Sequence, residues 1–231
     1  MTAVARPTKP QPSDESDRPR RPLRLLVVDD HPAVRAGLRQ LLDDQADFEV
    51  AAAVATADEA LAVAEREPID VAVVDYQLGG RNGLWVSRKL KRLSQPAAVL
   101  IYSAYTDGVL ASAAVVAEAD AVFSKGGLGS ELCEAIRKVA RGHQLLPPVP
   151  EWLGDALRRR LDHEEQAIFG LLLAGIKTPQ IAGRLDLPEA ALEARLWAML
   201  RKLEAVDPSP DGRSRDAAVA ADHSNGRVLP R

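Results

Sequence analysis

Val71-Ala72-Val73-Val74 is an unbroken apolar run that ends in the carboxylate of Asp75, with Pro68 before it and Gly79-Gly80 after it. A run this short, bounded by turn formers, reads as a strand buried on both faces, the condition of a central strand in a parallel sheet. Such a strand restricts the chain to an α/β arrangement with helices covering both faces of the sheet. It also puts Asp75 at the strand's carboxyl end, the edge where open α/β sheets hold their ligands. Leu25-Leu26-Val27-Val28 has the same form and runs into Asp29-Asp30. If the two strands are neighbours, three carboxylates meet. At ~4 Å and an effective dielectric of ~20, each pair repels by ~4 kcal/mol. A fold keeps such a cluster by binding a cation there or by holding protons. Oxygen ligands favour a hard cation, and Mg2+ is the first expectation.

The surrounding pattern alternates strand and helix. A strand at 24–28 precedes a helix from about Pro32 to Asp44, with Pro32 suited to the first helical position and Val34, Leu38, Leu41 and Leu42 on one face. A strand over 48–54 leads to a helix over 57–67, capped by Thr56 and stopped before Pro68. After the strand ending at Asp75, the spacing predicts a loop through Gly83 and a helix ending near Leu93. A strand at 97–102, a helix at 107–118, a short strand at 121–123 and a helix at 128–141 follow. Five strand–helix repeats predict a doubly wound, five-stranded parallel sheet of flavodoxin-like form.

The three prolines between Gly142 and Pro150 break this pattern. A linker over 143–160 is expected there, with a short helix at 151–160. Helices at 163–174, 178–185 and 189–204 follow, punctuated by Gly175 and by Leu187-Pro188. A short helix, a turn and a longer helix form a helix-turn-helix outline over 161–206. Residues 1–22 carry almost nothing to bury and are expected to be a disordered tail. Residues 207–231 are expected to be flexible, with a weak helix near 215–226.

Composition narrows the function classes. Net charge is −3 over 231 residues, so no global basic field advertises nucleic acid or an anionic membrane. The single Cys133 rules out an internal disulfide framework and suits a reducing cytoplasm; it is expected to be a small apolar residue on a helix. The longest apolar run, 167–176, is too short to span a bilayer. With no secretory h-region visible, a cytoplasmic protein is expected. No Gly-rich turn follows the first strand, no Gly-x-Ser-x-Gly is present, and the four histidines are scattered without zinc-ligand spacing.

Two further residues complete the sheet edge. Ser103 ends the fourth strand, and Lys125 ends the fifth just before Gly126-Gly127. A lone Ser or Lys at a strand end has a bland explanation, but acids after strands one and three, a hydroxyl after four and an amine after five all point into one crevice. On these residues, 23–142 resembles the receiver domain of a two-component response regulator. The stretches Val-Val-Asp-Asp-His-Pro-Ala-Val-Arg-Ala-Gly-Leu (27–38) and Asp-Tyr-Gln-Leu-Gly-Gly-Arg-Asn-Gly-Leu (75–84) are similar to the NarL/FixJ group, with Gly79 where proline is common.

The resemblance implies specific roles. Asp75 accepts a phosphoryl group from a sensor histidine kinase, and the chain acts as a switch rather than as an enzyme. Asp29, Asp30, Asp75 and the backbone carbonyl of Gln77 hold Mg2+. Lys125 and Ser103 contact phosphoryl oxygens. Ser103 then moves inward and an aromatic follows it, for which Phe123 is the matching position; its alternative is ordinary core packing. His31 is expected only to start the first helix.

Residues 161–203 resemble the LuxR-type helix-turn-helix of the same group, on Glu164-Glu165-Gln166-Ala167-Ile168, Leu172–Gly175 and Thr178-Pro179-Gln180-Ile181-Ala182-Gly183-Arg184-Leu185. Leu192, Leu196, Met199, Leu200 and Leu203 give the third helix an apolar stripe. Its other face departs from the group: the turn supplies a single base, Arg195, beside two acids, Glu189 and Glu193. Across 151–206, eight bases face nine acids. Glutamates facing a duplex oppose phosphate binding, although alanine and glutamate can read base edges. Lys177, Arg195, Arg201 and Lys202 are the candidate DNA contacts, and Trp197 is expected to pack in a dimer or against the linker. Two outputs follow: phosphorylation-controlled DNA binding as a homodimer, or a protein-interaction module whose helix-turn-helix no longer binds DNA.

Overall fold

The protein is described from a computed structural model over residues 21–148, 153, 157 and 159–205. Residues 1–20 of the tail expected over 1–22, most of the linker helix and the segment from 206 lie outside the described residues; Arg21, within that expected tail, pairs with Asp70 at 2.7 Å. β1 (Leu23–Val28), β2 (Phe48–Val54), β3 (Val71–Asp75), β4 (Ala98–Ser103) and β5 (Ala121–Ser124) form one parallel sheet in the order β2-β1-β3-β4-β5. Every residue of β3 is buried, as its apolar run requires of a strand covered on both faces.

The helices start where the capping chemistry puts them. α1 (Pro32–Asp43) begins at Pro32, and α2 (Ala57–Arg66) at a reciprocal capping box between Thr56 and Glu59. α3 (Gly83–Leu90) is capped by the Asn82 side chain, which accepts from Trp85 N–H at 2.9 Å. It stops at Leu90, short of the expected Leu93, and tightens through bonds such as Arg92 N–H to the Lys89 carbonyl. α4 (Gly108–Val116) starts at Asp107 and α5 (Gly129–Ala140) follows Leu128. α1 and α5 close one face over Leu25, Val27, Val71, Val73 and Leu100, with Cys133 buried among them. α2, α3 and α4 close the other over Leu26, Val28, Ala72, Val74 and Ile101.

α4 is unlike its neighbours. Residues 109–116 are all buried, and the helix has no polar face. One side lies on the sheet. The other is covered by α6 (His163–Leu173) and α8 (Glu189–Glu204), which α7 (Thr178–Leu185) connects in the chain. A helix that is apolar all round has to be covered all round. Fully burying each Val or Leu stabilises by roughly 1.5–3 kcal/mol.

Within the last three helices, Asp162 and Glu165 form a second capping box at the start of α6. Gly175 takes φ +75°, and Asp186 takes the left-handed conformation at φ +52° to end α7 before Pro188. Leu192, Leu196, Met199, Leu200 and Leu203 are buried, as the stripe predicts, against Ile168, Ile181, Leu153, Leu157 and Leu161. Among the described residues, no helix is long and apolar enough to cross a membrane.

Candidate functional site

The register brings the predicted residues to one edge. Asp29 follows β1, Asp75 ends β3 opposite Tyr102, Ser103 ends β4, and Lys125 follows β5, where its N–H donates to the Ser103 carbonyl at 2.7 Å. Lys125 Nζ lies 2.9 Å from Asp29 Oδ2 and 3.0 Å from Asp75 Oδ2, so one ammonium bridges two buried carboxylates. Asp29 Oδ1 accepts from His31 N–H at 2.8 Å, and Asp75 Oδ1 from Gln77 N–H at 3.2 Å. Ser103 is buried, its Oγ accepting from Tyr105 N–H at 3.1 Å.

The electrostatics follow from this packing. Burial pushes the Asp75 carboxyl above the usual carboxylate range; Lys125 pulls against the rise and Asp29 adds to it. Burial acts to lower the Lys125 ammonium, but its contacts with the Asp29 and Asp75 carboxylates outweigh burial and hold it above its ordinary value.

Ligand atoms of Asp29, Asp30, His31 and Asp75 all lie within 4.8 Å of one another. Two buried oxygens in this group, Asp30 Oδ1 and Asp75 Oδ2, accept no aligned hydrogen bond, and Lys125 meets the second as an ion pair only. Clustered carboxylate oxygens with spare acceptor capacity fit a hard cation. The structure adds His31, whose Nδ1 sits 2.7 Å from Asp30 Oδ1. The sequence placed this residue only at the helix start, since one histidine without a spaced partner carries no ligand signal. Arg35 was also missed; its guanidinium donates to the Asp29 carbonyl at 2.7 Å, one α1 turn from the acid.

Gly83, the first residue of α3, is forced by the site. A Cβ there would lie 2.3 Å from the Asp75 carbonyl oxygen, so only glycine allows the helix to start against the acid-bearing strand. Phe123 stacks with Tyr102 at 6.4 Å between ring centroids, on the α1/α5 face of the sheet.

The response regulator receiver domain family matches residues 25–137. The nitrate/nitrite response regulator protein NarP of Escherichia coli is 30% identical over 210 residues, covering 86% of this chain and 93% of that protein. The chain belongs to the two-component response regulators. Among solved structures, the receiver domain of the putative response regulator NarL from Mycobacterium tuberculosis aligns at 26% identity and a TM-score of 0.52, over 54% of this chain and all of that one. The response regulator RcsB, in a structure with DNA, shares the fold over 80% of this chain and 94% of its own, at 18% identity and a TM-score of 0.53.

Two of the four bases expected at the output of this response regulator are held in ion pairs and two are exposed. Arg195 pairs with Glu164 at 2.7 Å, and Lys202 holds the buried Glu165 at 2.5 Å. Lys177 and Arg201 are exposed. Trp197, which is partly buried, meets Trp85 of α3 at 6.5 Å between ring centroids, a contact to the receiver that its sequence does not signal. A second charged cluster lies between the receiver and α8. Arg88, fully buried, pairs with Glu118 at 3.0 Å and with Glu193 of α8. Arg92 pairs with the same two acids and donates to Thr178 Oγ1 at 3.0 Å. Glu118 also accepts from Thr178 N–H at 3.2 Å. Glu193, which looked hostile to DNA, is a contact to the receiver.

Proposed function

We propose that this response regulator takes a phosphoryl group onto Asp75 from a sensor histidine kinase and, so modified, frees α8 for DNA binding and transcription control as a homodimer. The observation that carries the reading is the Lys125 ammonium held between Asp29 and Asp75 at the sheet edge. An Asp75 carboxylate oxygen attacks phosphorus, an O–P bond forms, and the donor's P–N bond breaks with its electron pair leaving on the imidazole, which takes up a proton. Asp29, Asp30, Asp75 and the Gln77 carbonyl would hold Mg2+, which when bound neutralises charge on the phosphoryl oxygens. Lys125 supplies a further positive charge to those oxygens, and Ser103 donates its hydroxyl to another. The domain arrangement in this reading is a receiver over 23–142, a linker over 143–160 and a helix-turn-helix unit over 161–206, in a cytoplasmic protein.

Incubation with acetyl phosphate and Mg2+ should add one phosphoryl group, detected by intact-protein mass, and Asp75→Asn should abolish it. Label persisting in that variant overturns the assignment. DNA contact would begin with the exposed Lys177 and Arg201, while Arg195 and Lys202 would first have to leave Glu164 and Glu165. Those pairs, with Glu189, favour a second reading in which the helical unit binds a protein partner instead. A mobility shift on genomic fragments at low salt separates the two: no shift with or without label removes the DNA reading.

A further inference from the structure

Resting on the phospho-acceptor reading above, a route from Asp75 to the output can be traced residue by residue. Gly83 has no room for a Cβ against the Asp75 carbonyl, and its N–H donates to the Tyr76 carbonyl at 2.8 Å. The first residue of α3 is thus wedged on the segment that carries the acceptor. A displacement of Asp75 or of 76–82 therefore moves the helix as a unit, since packed elements shift rather than deform. From α3, Trp85 reaches Trp197, and Arg88 reaches Glu193, with Arg92 just beyond the helix end meeting Glu193 and Thr178. Every one of these contacts crosses to α7 or α8.

The aromatic on β5 has no such connection. Phe123 and Tyr102 pack with α1 and α5, and among the described residues no side chain of α6, α7 or α8 belongs to that cluster. The sheet itself lies between the aromatic pair and the output helices. At the junction of the 76–82 loop and α8 a cleft of about 280 Å³, lined by Gly80, Arg81, Asn82, Trp85, Trp197 and Arg201, leaves the two indoles room to separate. Arg81 stacks on the Trp85 ring at 3.9 Å and ties the loop to the same indole.

We propose that the state of Asp75 reaches α8 through α3, by way of Trp85, Arg88 and Arg92 acting on Trp197 and Glu193, and not through the Tyr102–Phe123 stack. The acid on α8 is in this view the receiver-reading residue of the output helix. Glu118, fixed in the receiver, is the counter-ion that keeps Arg88 neutralised when Glu193 leaves.

The test uses the full chain with Trp152→Phe, so that emission reports Trp85 and Trp197 alone. Acetyl phosphate with Mg2+ should red-shift the emission in proportion to the label measured by mass, as the half-buried indoles part and meet water. Phe123→Leu should keep that shift. Glu193→Gln should place the unlabelled protein's emission near that of the labelled parent. Full labelling without an emission change, or a shift lost in Phe123→Leu and unaltered in Glu193→Gln, overturns the route while leaving the acceptor assignment standing. Failure of the parent to take up label overturns the acceptor reading, and the route falls with it.

Discussion

Glu118→Gln removes one charge from the seam and keeps its shape. The magnitude follows from what surrounds it. Arg88 has no exposed side-chain surface, and among the described residues its Nε meets no acceptor and only Glu118 and Glu193 neutralise it. Breaking a buried pair by removing one partner costs ~3–5 kcal/mol. Glu193 remains, which lowers the loss, and Arg92 is about a third exposed, so its share is at most ~1 kcal/mol. The expected destabilisation is ~2–4 kcal/mol, or a fall of ~1–2 M in urea midpoint for a slope near 2 kcal/mol/M. Adding Arg88→Met should recover most of the loss, because an apolar side chain in that position needs no counter-ion. The pH dependence carries a second signature. Burial acts to raise the Glu118 carboxyl, but Arg88, Arg92 and the Thr178 N–H outweigh it and hold it below the usual range. A lowered folded-state pKa gives stability that is present above the unfolded value of about 4.3 and lost as pH falls through the folded value. The two stability curves should therefore lie apart at neutral pH and converge in acid. A Glu118→Gln midpoint within ~0.2 M of the parent, or a gap that widens on acidification, would refute this account of the seam.

Asp30→Ala should weaken Mg2+ binding severalfold by calorimetric titration while leaving the fold intact, since its side chain is partly exposed; an unchanged titration removes it from the ligand set. Gly83→Ala should destabilise by ~1–3 kcal/mol and slow labelling, because backbone rather than a flexible side chain blocks the new methyl. Thermal melts and labelling rates check both effects. Asp75→Asn should stabilise the metal-free protein at neutral pH, read as a higher melting temperature in chelator. The folded-state pKa of Asp75 is raised, so its favourable contribution is present below the unfolded value and lost as pH rises through the folded one. A variant melting below the parent in chelator would contradict this.

The sheet and its edge were legible because their signals are local. The central strands β1 and β3 carry apolar runs that end in acids, most of the receiver's helices open at a Pro, Thr, Asn or Asp suited to the position, and parallel topology sends the strand ends to one side. Asp29, Asp75 and Lys125 met as predicted because strand ends were all that had to be placed. The seam was not legible. Arg88 reads as one base in the run 88–92, and nothing local says that it faces inward or that its partner lies 105 residues away. The hint was negative: acids on a helix expected to meet phosphate, and an α4 without a polar side. Trp197 was singled out, but its contact with Trp85 could not be read for the same reason. Its partner, Trp85, sits in a different structural unit.

A fourth helix with no hydrophilic side has a consequence for the proposed switch. Lifting α8 away would hand that surface to water at roughly 25 cal/mol per Å². In the proposed switch Val109 through Val116 therefore weigh on the docked side, and the charged seam at Arg88 and Glu193 has to be set against them before α8 can part from the receiver.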